Sequence, residues 1–301
     1  MDWTQSALDF DPQQSINEIS EFIKGNFQRL NRKIAVLGLS GGLDSSLTAS
    51  LAVHSLGKGR VKAYYLPEID SKPIHRKHAL ILSSHLGINL NMVKISPTLR
   101  KLGVYRLLPL RFIPGRKLKT IAIEFGKREF LSQTNGEFLS TRLGSSGGPW
   151  VARGNAYICA KHRVRMVLLY KEAEQSRGLV IGAANKTEWM TGTFTQWGCD
   201  HCADVMPILH LYRSQLILLA EHLGLPEEIR IKKADPDVLP GLDDKGELLG
   251  SFQDADLILW GLENQIPVED LVGNFGAEKV NYIQTLVQNS SHYRETPYSL
   301  L

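Results

Sequence analysis

The chain lacks the features that would set it apart from ordinary globular proteins. No apolar run approaches the roughly 18–20 residues that a membrane-crossing helix needs, so no membrane partner is expected. The first residues, MDWTQSALDFDPQQ, are acidic and polar, without the basic start and apolar core of a signal peptide. A cytoplasmic protein is the expectation. Internal repeats and low-complexity tracts are absent, which removes solenoids and long disordered linkers. Cysteine is scarce, three in 301 residues, and in a cytoplasmic chain this speaks against a structural disulfide framework.

What is present is a composition of 43% hydrophobic and 22% charged residues. The length suits one large α/β domain, or one domain with a small appendage. The net charge of +4 conceals an asymmetry: Leu99–Arg142 holds ten Lys/Arg against three Asp/Glu, a net of +7, so the remainder sums to −3. Such a segment either attracts an anion (a substrate phosphate, a partner or RNA) or is a solvated basic face on an insertion. Tyr105, Phe112, Phe125, Phe130 and Phe138 are spaced along it, and some are expected to pack it onto the body. No RRM or KH fingerprint accompanies the charge, so nucleic acid is a partner unsupported by motif.

Residues 40–46 read SGGLDSS. Before them, Lys33–Leu39 (KIAVLGL) is short, apolar and rich in branched residues, the pattern of a buried parallel strand. After them, Leu47, Leu51 and Leu56 with Ala49 and Ala52 predict a helix of about three turns. Gly41 and Gly42 permit a tight turn and close approach of backbone to a ligand. Ser40, Ser45 and Ser46 bring hydroxyls to the free N–H groups of a helix start, which together make a phosphate pocket. Asp44, a carboxylate among phosphate binders, suggests a Mg²⁺ bridge to a nucleotide. No Gly-Lys-Ser/Thr follows the glycines, so the loop is not a Walker A sequence.

The rest of the chain alternates strands and helices. An amphipathic helix is predicted over Asn17–Leu30, strands over Arg60–Leu66, Asn89–Ile95 and Gly178–Ala183, and helices over Pro73–His85, Asn155–Gln175 and Leu211–Leu223. Two further helices are expected near Asp254–Trp260 and Glu278–Asn289. Gly-Ser-Ser-Gly-Gly-Pro at 144–149 and the polar stretch Asp235–Gly250 read as loops. Thr191–Met206 has no periodicity and reads as a loop over the strand ends, where α/β sheets bind ligands. The alternation predicts a parallel sheet covered on both faces.

SGGLDSS resembles the PP-loop of ATP pyrophosphatases, which cleave ATP to pyrophosphate and leave AMP on a substrate. Four later blocks narrow the resemblance: NKTE at 185–188 followed by Thr191, Gly192, Thr195 and Gly198; DVMPILHLYRSQLILLAEHLGLPEEI at 204–229; LLGSFQDAD at 248–256; and SHYRETP at 291–297. In this order they resemble the ammonia-dependent NAD synthetases. The resemblance implies an α/β fold with a doubly wound parallel sheet, Rossmann-like and of the adenine nucleotide alpha hydrolase type. It also implies a single PP-loop domain over residues 1–301 with a basic insertion at about 96–154, and a homodimer. The implied reaction adenylylates the carboxylate of deamido-NAD or a related acid, and ammonia then displaces AMP. About 30 residues precede the first strand, so no glutaminase domain is expected.

Carried over by position, ATP binding is implied for Gly38, Ser40, Gly41, Gly42, Asp44, Ser45 and Ser46. Tyr65 and Leu66 would line the adenine pocket, and Arg213 would take the place of a lysine that contacts ATP. Asp44 and Glu188 are the implied Mg²⁺ ligands; with Arg213 they form the implied catalytic set. Arg163, Arg165 and Asp204 fall at substrate-binding positions.

Departures from the family pattern concentrate in the substrate region. Cys159 replaces an asparagine, Gln196 a lysine and Ala183 a threonine, and GCDHCAD with Cys199 and Cys202 replaces Gly-Asp. Near Pro236–Asp237 a serine or threonine is replaced, and Tyr293 stands for a lysine. All three cysteines thus fall at one predicted pocket. Three thiolates would leave one iron of a [4Fe–4S] cluster open, as in PP-loop sulfur transferases. Alternatively His162, three residues after Cys159, would complete a Cys₃His zinc site. In a third reading the thiols are simply reduced and partly buried. The function readings follow: an amide-forming ligase, a sulfur transferase using the cysteine cluster, or a non-catalytic nucleotide-binding metal or redox sensor.

Overall fold

The computed structural model describes residues 3–130, 143, 148–199, 201–232 and 251–295. The expected loops at 144–149 and 235–250 and the end of the basic segment therefore lie wholly or largely outside the described residues.

Four parallel strands, β1 (Ile34–Gly38), β2 (Val61–Tyr65), β3 (Leu90–Met92) and β4 (Gly178–Val180), form a sheet in the order β3-β2-β1-β4. Successive side chains of a strand point to opposite faces, and the sequence exploits this. Ala35, Leu37, Ala63, Tyr65 and Leu179 enter one core, whereas Val36, Tyr64 and Val180 enter the other. The first core is closed by α1 (Pro12–Arg29), α2 (Leu43–Leu56), α3 (Pro73–Leu86) and a later helix, Arg213–His222. The second is closed by α4 (Ser96–Lys101) and Ile123 of the basic segment's helix α5 (Arg116–Phe130), with the 28-residue α6 (Pro149–Ser176) across the sheet. This is the doubly wound parallel arrangement expected from the alternation.

Helix α1 starts at Asp11, whose carboxylate accepts hydrogen bonds from the Gln13 and Gln14 N–H groups at 2.8 and 3.1 Å, with Pro12 following at a position that has no N–H to satisfy. Helix α6 begins at Pro149 for the same reason, six residues earlier than its apolar periodicity suggests. β3 is shorter than expected because it is an edge strand paired only with β2, and its exposed residues Asn91 and Met92 receive no packing from a further strand. β4 is likewise short; Ile181 makes a single parallel bridge to Val205 instead of extending the ladder. Beyond the sheet come α7 (Lys186–Thr191), α8 (Arg213–His222), α9 (Glu227–Arg230), α10 (Phe252–Glu263), α11 (Val268–Phe275) and α12 (Ala277–Arg294). The last three enclose a small core of Ala255, Ile258, Leu259, Leu271, Val280 and Ile283, with Trp3 stacked on Trp260 at 5.5 Å.

Leu47 is fully buried where α2 meets the sheet. Leu47→Ala is expected to lower unfolding stability by about 2–5 kcal/mol in urea denaturation, whereas Ile217→Ala, on the exposed side of α8, should stay within about 0.5 kcal/mol.

Candidate active site

The strand order leaves a topological switch point between β1, whose chain runs on toward β2, and β4, which lies on its other side. Loops leaving the carboxyl ends of these two strands diverge and open a crevice. SGGLDSS leaves β1 there, and the Ala183–Glu188 segment leaves β4.

The turn at Gly41 has φ +76°, and a Cβ on it would lie 2.3 Å from the carbonyl oxygen of His75. Only glycine fits such a backbone conformation and approach. Gly42 is the N-cap of α2 and supplies no side chain to it, so the helix start keeps its N–H groups for another acceptor. The serines are organised around that start. Ser45 Oγ receives the Ser40 N–H at 3.2 Å and donates to the Gly42 carbonyl at 3.2 Å, and Ser40 Oγ lies 2.9 Å from Ser45 Oγ. Ser46 is fully buried and its hydroxyl has no hydrogen-bond partner among the described residues. Lys232 donates to the Gly41 carbonyl at 2.9 Å and contacts His75 Nδ1 at 2.5 Å, placing a cation behind the turn.

Asp44, in the first turn of α2, projects across the crevice. Its Oδ1 accepts from Asn185 Nδ2 at 2.9 Å and its Oδ2 pairs with the Arg213 guanidinium. Asn185 also caps α7: its side chain accepts the Glu188 N–H at 2.9 Å, and Glu188 Oε2 receives the Asn185 N–H at 3.4 Å. One asparagine thus joins the Asp44 and Glu188 carboxylates, the two predicted Mg²⁺ ligands. Oxygen donors of this kind suit Mg²⁺. The orphaned Ser46 hydroxyl and the free α2 N-terminus suit phosphate beside it. Below, Asp256 is fully buried and accepts from Thr187 Oγ1 at 2.5 Å and from the Ser214 N–H at 2.8 Å, while Thr187 Oγ1 accepts the Arg213 N–H at 2.9 Å. Burial pushes the Asp256 carboxyl up despite these donors. Asn185, Thr187 and Asp256 were not among the site residues expected from sequence. Their signal lay in the NKTE and LLGSFQDAD blocks that contain them.

The arginines of α6 do not work together. Residues two apart on a helix face opposite ways. Arg163 reaches the Gln196 carbonyl with Nε and Nη2 at 3.2 and 3.1 Å, and Arg165 reaches the Leu66 carbonyl at 3.2 Å. Leu66 and Tyr65 are both buried at the end of β2. Asp204 accepts from the Val180 N–H at 2.8 Å and the Tyr170 hydroxyl at 3.2 Å, holding the loop to the end of β4.

The cysteines correct an expectation. Cys159 donates to Asn155 Oδ1 at 3.2 Å within α6; Cys199 Sγ lies 3.4 Å from His162 Nδ1; Cys202 lies beside the Tyr170 hydroxyl. Among the described residues no group of three or more His, Cys, Asp or Glu side chains is arranged to hold a metal. The proposed Fe–S and Cys₃His zinc sites are therefore unsupported, because each thiol is turned to a different local partner.

A second polar cluster was not expected. Glu68 and Asp70 follow β2, and the fully buried Lys161 bridges them at 3.0 Å each. Burial alone would raise the Asp70 pKa, but Lys161, with hydrogen bonds from Tyr157, Lys161 and Lys119, outweighs it and holds the carboxyl below its ordinary value.

The family model described as NAD synthase matches residues 15–105 and 145–297. The NH(3)-dependent NAD(+) synthetase of Thermotoga maritima is 38% identical over 274 residues, covering 91% of this chain and 94% of that protein. Among solved structures, the NMN synthetase of Francisella tularensis aligns with TM-score 0.71 at 24% identity, covering 97% of this chain and 99% of its own. The NH3-dependent NAD synthetase of Campylobacter jejuni aligns with TM-score 0.68 at 24% identity, covering 97% and 100%. At that identity the two structures show the shared fold.

The lowered Asp70 pKa makes a stability prediction. Its contribution is present above the unfolded carboxylate pKa and is lost as pH falls through the lower folded value. Asp70→Asn should be clearly destabilised in urea at pH 7, and its deficit against wild type should shrink at pH 3.

Proposed function

The chain belongs to the NAD synthase family, and we infer that it is an ATP-dependent ligase that joins ammonia to the carboxylate of deamido-NAD. A carboxylate oxygen of the acid attacks the α-phosphorus of ATP; the bond to the bridging oxygen of the β-phosphate breaks and pyrophosphate leaves. Ammonia then attacks the acyl carbon, AMP departs, and the nitrogen loses a proton to form the amide.

The observation that carries this reading is the meeting of the β1 and β4 loops at Asp44, Asn185, Glu188 and Arg213. The N–H groups at the start of α2, with the Ser40, Ser45 and Ser46 hydroxyls, would receive the phosphate oxygens that become pyrophosphate. Gly38, Gly41 and Gly42 let the backbone come close enough for that. Arg213, held on Asp44 in the structure, would share its charge with the triphosphate. Leu66 and Tyr65 would flank the adenine. Arg163, Arg165 and Asp204 would shape the acid's side of the crevice, directly or through the loops they hold. Mg²⁺ held by Asp44 and Glu188 would neutralise charge on the departing pyrophosphate.

Homodimer formation belongs to the same proposal. On α5, Leu118, Ile121 and Phe125 are exposed at a spacing that gathers them on one helical face, and a second copy would cover them. The family model passes over residues 106–144, which supports reading the basic segment as an insertion in a single domain. No described helix is long and apolar enough to cross a membrane, and a cytoplasmic location is proposed.

Purified protein given ATP, Mg²⁺, deamido-NAD and ammonia should yield NAD, AMP and pyrophosphate in equal amounts, read by chromatography. ADP in place of AMP, or no NAD, would sink the proposal. Asp44→Asn is expected to lower kcat by about 100-fold or more with the fold intact by circular dichroism. Phe125→Asp should shift the sedimentation coefficient from dimer toward monomer.

A further inference from the structure

The loop after β2 is built around two carboxylates that point inward. Glu68 Oε1 takes Lys161 Nζ at 3.0 Å and also the N–H of Asp70 at 3.1 Å, while Oε2 takes the Tyr105 hydroxyl at 3.0 Å. Asp70 Oδ2 takes Lys161 at 3.0 Å and the Tyr157 hydroxyl at 2.5 Å; Oδ1 takes Lys119 at 3.0 Å. Two cations meet two anions, and the side chains of Lys161 and Glu68 are wholly shielded from solvent. Removing either acid, or Lys161, from this set of two lysines and two carboxylates would leave one charge uncompensated.

Position gives this cluster more than a packing role. Lys161 and Arg165 are four apart on α6 and share a face. Arg165 donates to the Leu66 carbonyl at 3.2 Å, so the helix holds the loop at Leu66 with one side chain and at Glu68 and Asp70 with the other. The loop leaves β2 beside the start of the PP-loop: Leu39 N–H, just before Ser40, donates to the carbonyl of Tyr64, two residues before Leu66, at 2.8 Å. On the far side, Lys119 comes from α5, within the stretch that the family model passes over.

We propose that Lys161 is a positioning residue for ATP: with Glu68 and Asp70 it holds the Leu66 edge of the nucleotide pocket and, through Lys119, couples the seating of α5 to nucleotide binding. The inference rests on the ATP-site reading above. Seating α5 fixes Asp70, Asp70 and Glu68 fix Lys161, and the α6 face carrying Lys161 and Arg165 fixes Leu66. ATP bound against that edge therefore favours the seated segment, and the coupling is reciprocal.

The test uses the full chain with the variants Lys161→Met, Lys161→Arg and Lys119→Met. Calorimetric titration with ATP, steady-state KM and kcat, and hydrogen exchange over residues 116–126 are read for each. Lys161→Met and Lys119→Met should weaken ATP binding and raise its KM by about three- to thirtyfold, with a smaller change in kcat; Lys161→Arg should recover part of the loss. ATP should slow exchange over 116–126 in wild type and not in Lys119→Met. In Lys161→Met the acids face each other with one cation fewer, so the KM for ATP should climb with pH as the second carboxyl ionises, a trend absent from wild type. Unchanged ATP affinity in both methionine variants, with lowered melting temperature alone, would make the cluster merely structural. If Lys161→Met does not fold, Lys119→Met decides: wild-type affinity with ATP-dependent protection retained overturns the coupling. Failure of wild type to bind ATP would instead overturn the nucleotide reading, and this inference with it.

Discussion

A Cβ on Gly41 would sit 2.3 Å from the His75 carbonyl oxygen, and the turn that this closeness requires sets the rest of the crevice. β1 runs through the interior of the sheet, flanked by β2 and β4, so whatever leaves its carboxyl end stands where the loops diverge. The left-handed turn at Gly41 redirects the chain within three residues of the strand and starts α2 with its first turn facing that opening. α3 lies against the same turn through its own backbone, and Lys232 closes on the Gly41 carbonyl. A larger residue at 41 would push these apart, and Asp44 with them.

Around that turn the molecule places charge where solvation is poor, and each case is balanced locally. Asp44 is shared between Asn185 and Arg213; Asp256 has a hydroxyl and a backbone N–H; Glu68 and Asp70 have two lysines and two tyrosines. Groups buried in this way contribute little net stability but penalise any arrangement that separates them. They therefore fix the relative placement of α2, α6, α7 and α8 more tightly than apolar contact would, and a site that must orient two substrates benefits from that. The apolar cores on the two faces of the sheet supply the bulk of the burial.

The cysteines show where one-dimensional proximity misleads. Positions 159, 199 and 202 were expected from the sequence at one pocket, but a metal needs several ligand atoms aimed at one point. Cys159 is turned along its own helix to Asn155, Cys199 faces His162 from the loop, and Cys202 faces Tyr170. The same distinction separates Arg163 from Arg165, adjacent in motif and opposite in direction.

Much of the fold was legible in the sequence because its signals are local. Branched apolar runs marked β1, β2 and β4, helical spacing marked α1, α2, α3, α6 and α8, and the alternation of the two predicted a parallel sheet. The turn and helix start at SGGLDSS were legible from residue type alone, since glycines and hydroxyls act through the neighbouring backbone. The short helices α4, α7, α9 and α11 and the starting residue of α6 escaped, because packing and capping decide them more than periodicity does, and α5 escaped because its stretch was read for its charge rather than for its helical spacing. Asn185 as the link between Asp44 and Glu188, Asp256 beneath Ser214, and Lys161 between Glu68 and Asp70 join residues 141, 42 and more than 90 positions apart. No local pattern encodes such partnerships. The sequence by itself determined that a glycine- and serine-rich turn, of a kind suited to phosphate, leaves the end of the first strand. Only the tertiary structure decided which distant carboxylates, amides and cations meet there, because only the folded sheet brings the loops of β1, β2 and β4 to one edge.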